Sequence, residues 1–481
     1  SLRTPFAIAE SINKEDALNL DIYTLESGCP LNEPQLNVYL DIIANNKVDS
    51  YLIPLTMDIS KDYDADDIYS ALDMMMDAHP ILEMCVSDEF EVPYLVKGSK
   101  PSISFENDVS DDFVKEFLTK GFNLNDSLSR FLVVENENKY VLFAVFHHII
   151  FDALSDDVFR RDLQIILDGG AVDIDDSFLK VSAFTQQIKD SEEFSVAYDF
   201  YDSMLADADE TGVFLDSVLP DGPGVLFSDL DLDSNLFKSF LDKWGISENV
   251  FFTSAFAYAL SRFAGSDKVS FNIIENGRDR FNNLDAIGMF VNTLPILVDC
   301  KNQRVSDFME QMSDLIYDVM RYSYYPFRLL AGEYDIDSSI IFQYLPDWIG
   351  DDEDDDIEEN NIKEMKDMIT DFNADVVQKG EKYSLHLLYS DKYSKDIIKS
   401  FAETYNQIIS QMISHDNLSD INYVSQSNLD YLDAMNSNEH PLDYNHLLDA
   451  FNDNLANYPD NNLVSYNDSI YTYGEGAFVA H

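Results

Sequence analysis

The hydrophobic and polar positions of the chain repeat with two periods, one typical of helices and the other of strands. Apolar residues at helical spacing predict helices at 6–12, 34–43, 68–78, 247–263 and 397–413. Alternating or continuous apolar runs predict strands at 51–59, 131–134, 140–146, 225–232, 269–274 and 384–389. The seven consecutive apolar residues of 140–146 predict a strand that is buried on both faces. This strand runs directly into His147 and His148.

The same rhythm of strands and helices occurs in both halves of the chain, which predicts an α/β protein built from two similar lobes. The segment 206–224 is rich in Asp, Gly and Pro and is expected to cross between the lobes. The acidic run 351–361 is expected to be a solvated loop. After the strand 140–146, a further helix is expected to begin with Ser155 as its cap.

The charge of the chain excludes several classes of partner. The 481 residues include 90 Asp and Glu but 31 Lys and Arg, and the formal charge of −59 repels phosphate backbones and anionic membranes. We therefore expect no nucleic-acid partner and no membrane-surface role. Hydrophobic residues make up 46% of the chain, which is enough for large cores. No apolar run is long enough to span a bilayer.

The cysteines and the first residues indicate the cellular compartment to expect. Cys29, Cys85 and Cys300 are far apart in sequence and form no CxxC pair, so reduced thiols in a cytoplasmic protein are expected. No secretory leader opens the chain. The first residues lack an initiator Met and are expected to be a cut made inside a longer protein.

The sharpest candidate for chemistry is the sequence HHIIFDA at 147–153, at the end of the buried strand. Neighbouring strand residues point to opposite faces, so His147 and His148 are expected to differ in role. A neutral imidazole can take a proton from an amine or hydroxyl nucleophile. Asp152 can orient a histidine or pair with a buried arginine. The alternative is that both histidines are structural and bind backbone carbonyls.

Competing chemistries lack their motifs. The sequence contains no GxSxG elbow, no GxxxxGK[ST] phosphate loop and no GxGxxG fingerprint. Asp229, Asp231 and Asp233 have the spacing that opens a calcium loop. However, Ser234 stands where that loop needs glycine, and Phe240 stands where it needs glutamate. We therefore predict no metal site.

Seven short motifs occur in an order that is known from one family. They are PLNEPQ (30–35), HPIL (79–82), HHIIFDA (147–153), NGR (276–278), IGMFVNTLP (287–295), YYPF (324–327) and IFQ (341–343). On these motifs the chain resembles a condensation domain of a nonribosomal peptide synthetase, from the superfamily that includes chloramphenicol acetyltransferase. Their shared order is more specific than any one of them.

The flanks resemble neighbouring domains of such synthetases. Residues 3–12 resemble the last helix of a peptidyl carrier domain, and 447–475 resemble the opening of an adenylation domain. The predicted domains are therefore a carrier tail and linker at 1–22, an N-terminal condensation lobe at 23–205, a C-terminal lobe at 206–435, and a linker with a truncated adenylation domain at 436–481. The carrier's modified serine motif and the ATP motifs are missing.

The resemblance implies two chloramphenicol-acetyltransferase-like lobes in a V-shaped arrangement with a central tunnel. It implies that an upstream donor carrier and a downstream acceptor carrier each insert a 4'-phosphopantetheine arm, while this chain binds no cofactor covalently. It also implies an adjacent adenylation domain in cis. The acceptor's amine would attack the donor's thioester carbonyl, which forms an amide.

The resemblance also assigns roles to residues. His148 is implied to be the catalytic histidine, either as general base or as a group that positions the amine. His147 and Asp152 belong to the same candidate catalytic set, with His147 more structural. Asp152 is expected to form an ion pair with Arg278 that joins the lobes. Asn292 is a candidate tunnel residue, and the alternative is a satisfied loop amide.

One position departs from the family pattern, because Ala153 replaces the glycine of HHxxxDG. Glycine there would allow unusual backbone angles and close approach of a pantetheine arm, so Ala153 is expected to line the tunnel and to disfavour a positive φ. Three functions stay open. These are a condensation domain of the L-donor type, a carrier-docking scaffold that has lost the chemistry, and an epimerization-type relative.

Overall fold

The computed structural model describes residues 18–45, 50–212, 214, 222–278, 285–334, 336, 339–346, 370–437, 444, 446–466 and 469–479. The helix predicted at 6–12, the acidic run at 351–361 and part of the predicted crossover lie outside the described residues. The chain forms two compact units, the first ending at Tyr423 and the second beginning at Val424.

The first lobe is a mixed sheet flanked by helices. Its elements are β1 (Cys29–Pro30), α1 (Glu33–Asn45), β2 (Leu52–Ser60), α2 (Ala65–Ala78), β3 (Met84–Ser87), β4 (Tyr94–Lys97), β5 (Ser102–Asn107), α3 (Asp111–Thr119), β6 (Ser129–Glu135), β7 (Lys139–His147), α4 (Ala153–Leu167) and α5 (Ser177–Ile188). The main sheet has the order β2-β7-β6-β5, in which β7 is antiparallel to both neighbours and β5 is parallel to β6. A small antiparallel sheet has the order β1-β4-β3.

The predicted hairpin and its buried strand are confirmed. β6 and β7 pair through the polar turn that the sequence indicated, and β7 lies between β2 and β6 inside the sheet. Most of its residues are buried on both faces, as a run of apolar side chains requires. Because an interior strand is held from both sides, its end at His147 is a rigid base for the loop that follows.

The helix after this loop begins earlier than expected. The prediction that Ser155 caps it is wrong, because α4 starts at Ala153 and its N-cap is Asp152. The Asp152 carboxylate accepts the backbone N–H of Ser155 at 3.1 Å, while the backbone N–H of Asp152 donates to the Ser155 hydroxyl at 3.4 Å. These two bonds form a reciprocal capping box, in which an aspartate replaces the serine as the capping residue.

The second lobe has a larger mixed sheet. Helix α6 (Glu192–Leu205) precedes it along the chain. The elements of this lobe are β8 (Gly224–Asp229), α7 (Ser234–Trp244), α8 (Glu248–Ala264), β9 (Lys268–Glu275), β10 (Asn292–Asp299), α9 (Val305–Arg321), α10 (Phe327–Glu333), β11 (Ile340–Leu345), β12 (Phe372–Lys379), β13 (Lys382–Tyr389) and α11 (Lys395–Met412). The sheet order is β10-β9-β11-β12-β13-β8, with β9-β11 and β11-β12 parallel and the other pairs antiparallel.

Helix α8 lies at the centre of this lobe. Every residue from Val250 to Ser261 is buried, so the helix is enclosed on all sides and contacts α9, α11 and the sheet. Strand β8 is shorter than the predicted 225–232, because the following residues lead into α7, whose first N–H groups bind the carboxylate of Asp233. Both lobes are thus sheets with helices, as the α/β prediction requires.

The second unit is small. Its elements are α12 (Gln426–Asn436), α13 (Leu447–Asn457), β14 (Asn462–Tyr466), β15 (Ser469–Thr472) and α14 (Tyr473–Val479). β14 and β15 form an antiparallel hairpin. This unit begins at Val424 and therefore includes α12.

Three general observations apply to the described residues. None of the helices there has the length and apolarity needed to cross a bilayer. No group of three or more His, Cys, Asp or Glu side chains there is arranged to hold a metal ion. The three cysteines are buried free thiols.

Candidate active site

His147 is the inward-facing member of the histidine pair. Its side chain is 1% exposed, and its Nδ1 accepts the backbone N–H of Ile149 at 3.1 Å. Burial, together with the nearby His148, lowers the pKa of His147 to about 3. The imidazole is therefore neutral at physiological pH, and its lone pair is used by the backbone. These contacts hold His147 in the interior, against the backbone of the following turn.

His148 differs because its side chain is partly exposed. Its Nδ1 lies 2.8 Å from the carbonyl oxygen of Phe151. A carbonyl only accepts hydrogen bonds, so we assign the proton to Nδ1, which then donates. In the neutral ring this leaves a lone pair on Nε2, which is the atom available to a substrate proton. The two histidines thus have the different environments that strand geometry predicted.

Tyr51 contacts both histidines of the pair His147 and His148. Its carbonyl accepts the backbone N–H of His148 at 2.8 Å, and its ring centroid lies 6.4 Å from both imidazole rings. Tyr51 has φ +62°, a left-handed conformation that an aromatic residue seldom adopts. Its hydroxyl donates to Asp41 of α1 at 2.6 Å, and burial and this carboxylate raise the pKa of Tyr51. Strain of this kind persists only where neighbours enforce it.

The PLNEPQ motif secures the same loop from helix α1. The amide Nε2 of Gln35 donates to the carbonyl of Ile149 at 2.8 Å. Asn32 and Gln35 also bind each other's backbone N–H groups, at 2.9 and 3.0 Å, which caps the helix. The motif therefore fixes the carbonyl that follows the histidine pair.

Asp152 and Arg278 form a buried bidentate ion pair. Nη1 and Nη2 of Arg278 each lie 2.7 Å from a carboxylate oxygen of Asp152. Nη2 also donates to the Ser155 hydroxyl at 3.0 Å and to the Ala286 carbonyl at 3.1 Å. The backbone N–H of Phe290 donates to Asp152 at 3.0 Å. A buried ion pair with this many hydrogen bonds has compensated charges.

The NGR turn depends on glycine to make this pair. Gly277 has φ +65°, and a Cβ there would lie 2.0 Å from the carbonyl oxygen of Phe290. The Asn276 side chain accepts the backbone N–H of Arg278 at 2.9 Å. The turn can therefore pass close to the Phe290 backbone and direct Arg278 into the first lobe.

A segment that we call the crossing segment, 285–291, carries the IGMFV residues from the second lobe into the first. Ile287 and Met289 belong to the first lobe's apolar core. The Met289 carbonyl accepts from Asn32 at 3.3 Å, and the Gly288 N–H donates to Ser155 at 3.1 Å. The motifs at 30–35, 147–153, 276–278 and 287–295 thus meet at one junction.

Two further candidates lie beside this junction. Ala153 is the exposed first residue of α4 and does not have a positive φ. A helical φ suits alanine well. Asn292 opens β10, donates from Nδ2 to the Ser323 carbonyl and lines a small cavity. It is therefore both a bonded amide and a cavity residue.

Sequence reasoning missed several residues of the site. It did not single out Tyr51 or Asp41, and it included Gln35 and His79 within motifs without assigning them a role. His79 is buried, and its Nε2 lies 2.9 Å from Asp162 of α4. The HP dipeptide gave a signal for a helix end, but no local signal indicates contacts between residues so far apart in sequence.

Comparison with known proteins identifies the family of the chain. The family described as Condensation domain matches residues 26–432. Surfactin synthase subunit 2 of Bacillus subtilis (strain 168) is 21% identical over 477 residues, which cover 93% of this chain and 13% of that protein. Bacitracin synthase 3 of Bacillus licheniformis is 22% identical over 481 residues, which cover 92% of this chain and 7% of that protein. The chain therefore spans a small part of these relatives' length.

Solved structures share the fold. The complex of the X-domain and OxyB from teicoplanin biosynthesis matches with TM-score 0.69 at 17% identity, over 85% of this chain and 98% of that one. A four-domain nonribosomal peptide synthetase bound to AMP and glycine matches with TM-score 0.67 at 15% identity, over 95% of this chain and 38% of that one. The epimerization domain from the third module of tyrocidine synthetase B matches with TM-score 0.64 at 13% identity, over 81% of this chain and 98% of that one.

These structural matches are too low in identity to show more than fold, and that fold is the chloramphenicol-acetyltransferase-like one which the motifs implied. The family match is a stronger statement, since it extends over both lobes and includes all seven motifs. Because that match covers most of the chain, the protein belongs to the condensation-domain family found in nonribosomal peptide synthetases.

Proposed function

We propose that this chain forms an amide bond between two carrier-bound substrates, as an L-donor type condensation domain. The acceptor's α-amine attacks the donor's thioester carbonyl carbon, so a C–N bond forms while the C–S bond breaks. The amine loses a proton, and the departing thiolate gains one. The growing acyl chain moves to the acceptor carrier.

The environment of His148 is the observation that carries this proposal. With Nδ1 donating to the Phe151 carbonyl at 2.8 Å, the neutral ring keeps its Nε2 lone pair for the amine proton. The backbone N–H of His148 is held by the Tyr51 carbonyl at 2.8 Å, which restricts the position of the residue. A general base and a positioning group both require a fixed tautomer on a rigid structural support.

The remaining residues of the candidate set support the loop. His147 fills the interior with a neutral ring, and Asp152 with Arg278 fixes the start of α4 against the second lobe. Amines and thioesters react readily once they are aligned, so holding the two carrier-bound groups together supplies much of the rate enhancement. No further acid or nucleophile is needed in this proposal.

The partners are proposed from the family. They are an upstream donor carrier, a downstream acceptor carrier, each with its 4'-phosphopantetheine arm, and an adenylation domain in cis. The resemblance to condensation domains also gives predictions that stay predictions here. These are the domain limits, the V-shaped arrangement, the tunnel and the cytoplasmic location. Ala153 stays a candidate tunnel residue.

Intact-protein mass spectrometry of the two carriers tests the proposal. With a loaded donor carrier, a loaded acceptor carrier and this chain, we expect the acceptor carrier to gain the donor's acyl mass. His148→Ala should abolish that gain and leave the fold intact. His415 offers a matched control, because its Nδ1 also binds a backbone carbonyl, at 3.0 Å from Gln411, and His415→Ala should transfer normally.

Other outcomes would identify the alternatives. Carrier binding without any mass gain, over several acyl groups, would indicate a docking scaffold. Exchange of the α-hydrogen of a carrier-bound substrate for deuterium, again without transfer, would indicate an epimerization-type domain. Wild-type turnover in His148→Ala would contradict the proposed role of this histidine.

A further inference from the structure

A small cavity lies between helices α1 and α5 of the first lobe and the residues around the Arg278 turn in the second. Its volume is about 60 Å³. The lining residues are Asn32, Glu33, Pro34, Val181, Phe184, Thr185, Glu275, Gly277, Phe290, Asn292, Ser323 and Tyr324. The lining therefore includes residues of the PLNEPQ, NGR, IGMFVNTLP and YYPF motifs, and it joins both lobes.

Glu33 gives this cavity an unsatisfied acceptor. It is the first residue of α1, and its side chain is 8% exposed. Its Oε1 binds the Lys189 ammonium at 2.7 Å. Its Oε2 is buried and has no hydrogen-bond partner among the described residues. A buried carboxylate oxygen without a donor is costly, so it favours any ligand that brings one.

The charges of the lining specify the kind of donor. Glu33 and Glu275 are acidic, and no lysine or arginine is among the described residues that line the cavity. Asn292 uses its Nδ2 to bind the Ser323 carbonyl, which leaves its amide oxygen as an acceptor. An ammonium group has three N–H donors and a positive charge, and its small size suits a cavity of about 60 Å³.

The cavity also lies close to the candidate active site along helix α1. Gln35, two residues after Glu33, donates to the Ile149 carbonyl directly after the histidine pair. Phe290, which lines the cavity, donates its backbone N–H to Asp152. The cavity thus shares helix α1 and the Phe290 backbone with the supports of the histidine loop.

We propose that this cavity binds the primary ammonium group of a basic amino-acid side chain on one of the two carrier-bound substrates, with Glu33 as its main acceptor. The inference rests on the proposed function and specifies its substrate class. A charged group that pairs with a buried carboxylate discriminates against a neutral analogue, because the analogue leaves the carboxylate oxygen unpaired.

The test compares ornithine with norvaline, whose side chain is the same carbon chain without the ammonium group. In one arm the residue is loaded on the donor carrier, and in the other on the acceptor carrier, with glycine opposite. We expect ornithine to transfer about tenfold faster than norvaline in one arm, which also identifies the substrate concerned. Glu33→Gln keeps the size of the side chain and should reduce that ratio to about one.

Glu83 provides a matched control in the same lobe. It is buried, its Oε2 binds Lys97 at 2.9 Å and its Oε1 has no hydrogen bond among the described residues, but it does not line this cavity. Glu83→Gln should therefore keep the ornithine preference. Equal rates for ornithine and norvaline in both arms would overturn the inference, and so would a preference that survives Glu33→Gln.

A binding measurement separates this inference from the proposed function. At matched ionic strength, n-propylammonium chloride should raise the Tm of the wild-type chain and of Glu83→Gln above the value in NaCl, because NaCl accounts for the screening of the net charge of −59. n-Propanol should give no such increase, and Glu33→Gln should lose the increase over NaCl. If no arm yields transfer, the proposed function fails, and this titration still decides whether the cavity binds an ammonium group. A Tm no higher in n-propylammonium chloride than in NaCl would count against the cavity.

Discussion

His147 and His148 show how far one step along a strand changes a residue's chemistry. Burial lowers the pKa of His147 from its ordinary value of 6.5 to about 3. His148 keeps partial exposure and a defined tautomer through the Phe151 carbonyl. The difference arises at the end of β7, where His147 is the last strand residue and is buried, while His148 begins the following turn and is partly exposed.

The lowered pKa of His147 predicts acid sensitivity. Between pH 6.5 and 3 the unfolded chain binds a proton at this residue while the folded chain does not, so folding stability should decrease as the pH falls. One such group contributes about 1.4 kcal/mol per pH unit in that range. Denaturant unfolding at pH 6.5, 5.5 and 4.5 measures the slope. His147→Asn cannot titrate, and its curve should be shallower by this amount; parallel curves would contradict the assignment.

Tyr51 predicts an effect on activity without an equal effect on stability. Tyr51→Phe removes only the hydrogen bond to Asp41 at 2.6 Å, which anchors a strained residue whose carbonyl holds His148. We expect the transfer rate at saturating carrier to fall about tenfold, because small displacements of a positioned group are costly. The carrier KM and the Tm should change little. Single-turnover transfer and thermal melting measure these quantities.

Tyr63 is the matched control, since its hydroxyl also donates to an aspartate, Asp168, at 2.6 Å in the same lobe. Tyr63→Phe should transfer at the wild-type rate. A double-mutant cycle adds a second check, because Tyr51→Phe and Asp41→Ala should be non-additive if they act as one unit. A Tyr51→Phe chain as fast as wild type would refute the positioning role.

At the scale of elements, the crossing segment connects the two lobes. It buries Ile287 and Met289 in the first lobe, and its backbone bonds to Asn32, Ser155 and Asp152 surround the ion pair of Arg278. The segment has few side chains of its own that form these bonds. Its position is set by backbone groups that meet capping residues of helices α1 and α4.

Arg278→Ala should lower the free energy of unfolding by about 3–5 kcal/mol, because it leaves the buried Asp152 carboxylate without its charge partner. Equilibrium denaturation measures the change. Lys238→Ala is the surface control: Lys238 binds Glu381 at 3.1 Å with both side chains largely exposed. Its loss should cost less than about 1 kcal/mol. Equal stabilities of wild type and Arg278→Ala would argue against a stabilising role for the buried pair.

At the scale of the whole molecule, the formal charge of −59 is the dominant electrostatic property. Like charges repel in the compact state, and dissolved ions screen that repulsion. The acidic side chains also form local structure, as in the caps of α2, α4 and α7. Acidity therefore has a local stabilising role as well as a global cost.

Salt should accordingly raise the Tm by a few degrees between about 0.05 and 0.5 M NaCl at pH 7.5, since the Debye length falls below the spacing of surface charges. Near pH 4.1, the isoelectric point of the chain, the net repulsion vanishes and the same salt should have little effect. Calorimetry at the two pH values tests this. An equal salt response at both would show that screening of net charge is not the cause.

The sequence by itself determined the local elements and the family of this protein. Helix α1, the hairpin of β6 and β7 and helix α8 were predicted close to their observed limits, because apolar periodicity is a local property that survives in the fold. The cap of α4 was missed because Asp and Ser compete for that role and the choice depends on what surrounds them.

Apart from the Asp152–Arg278 pair, which the resemblance had implied, only the tertiary structure decided which distant residues meet. Asp41 with Tyr51, Gln35 with Ile149, and the Glu33 cavity depend on contacts between elements whose packing no local pattern encodes. The same holds for the protonation of His147 and the tautomer of His148, since both depend on burial and on a single neighbouring backbone group. Local patterns identify the reactive residues, whereas packing determines their chemical state.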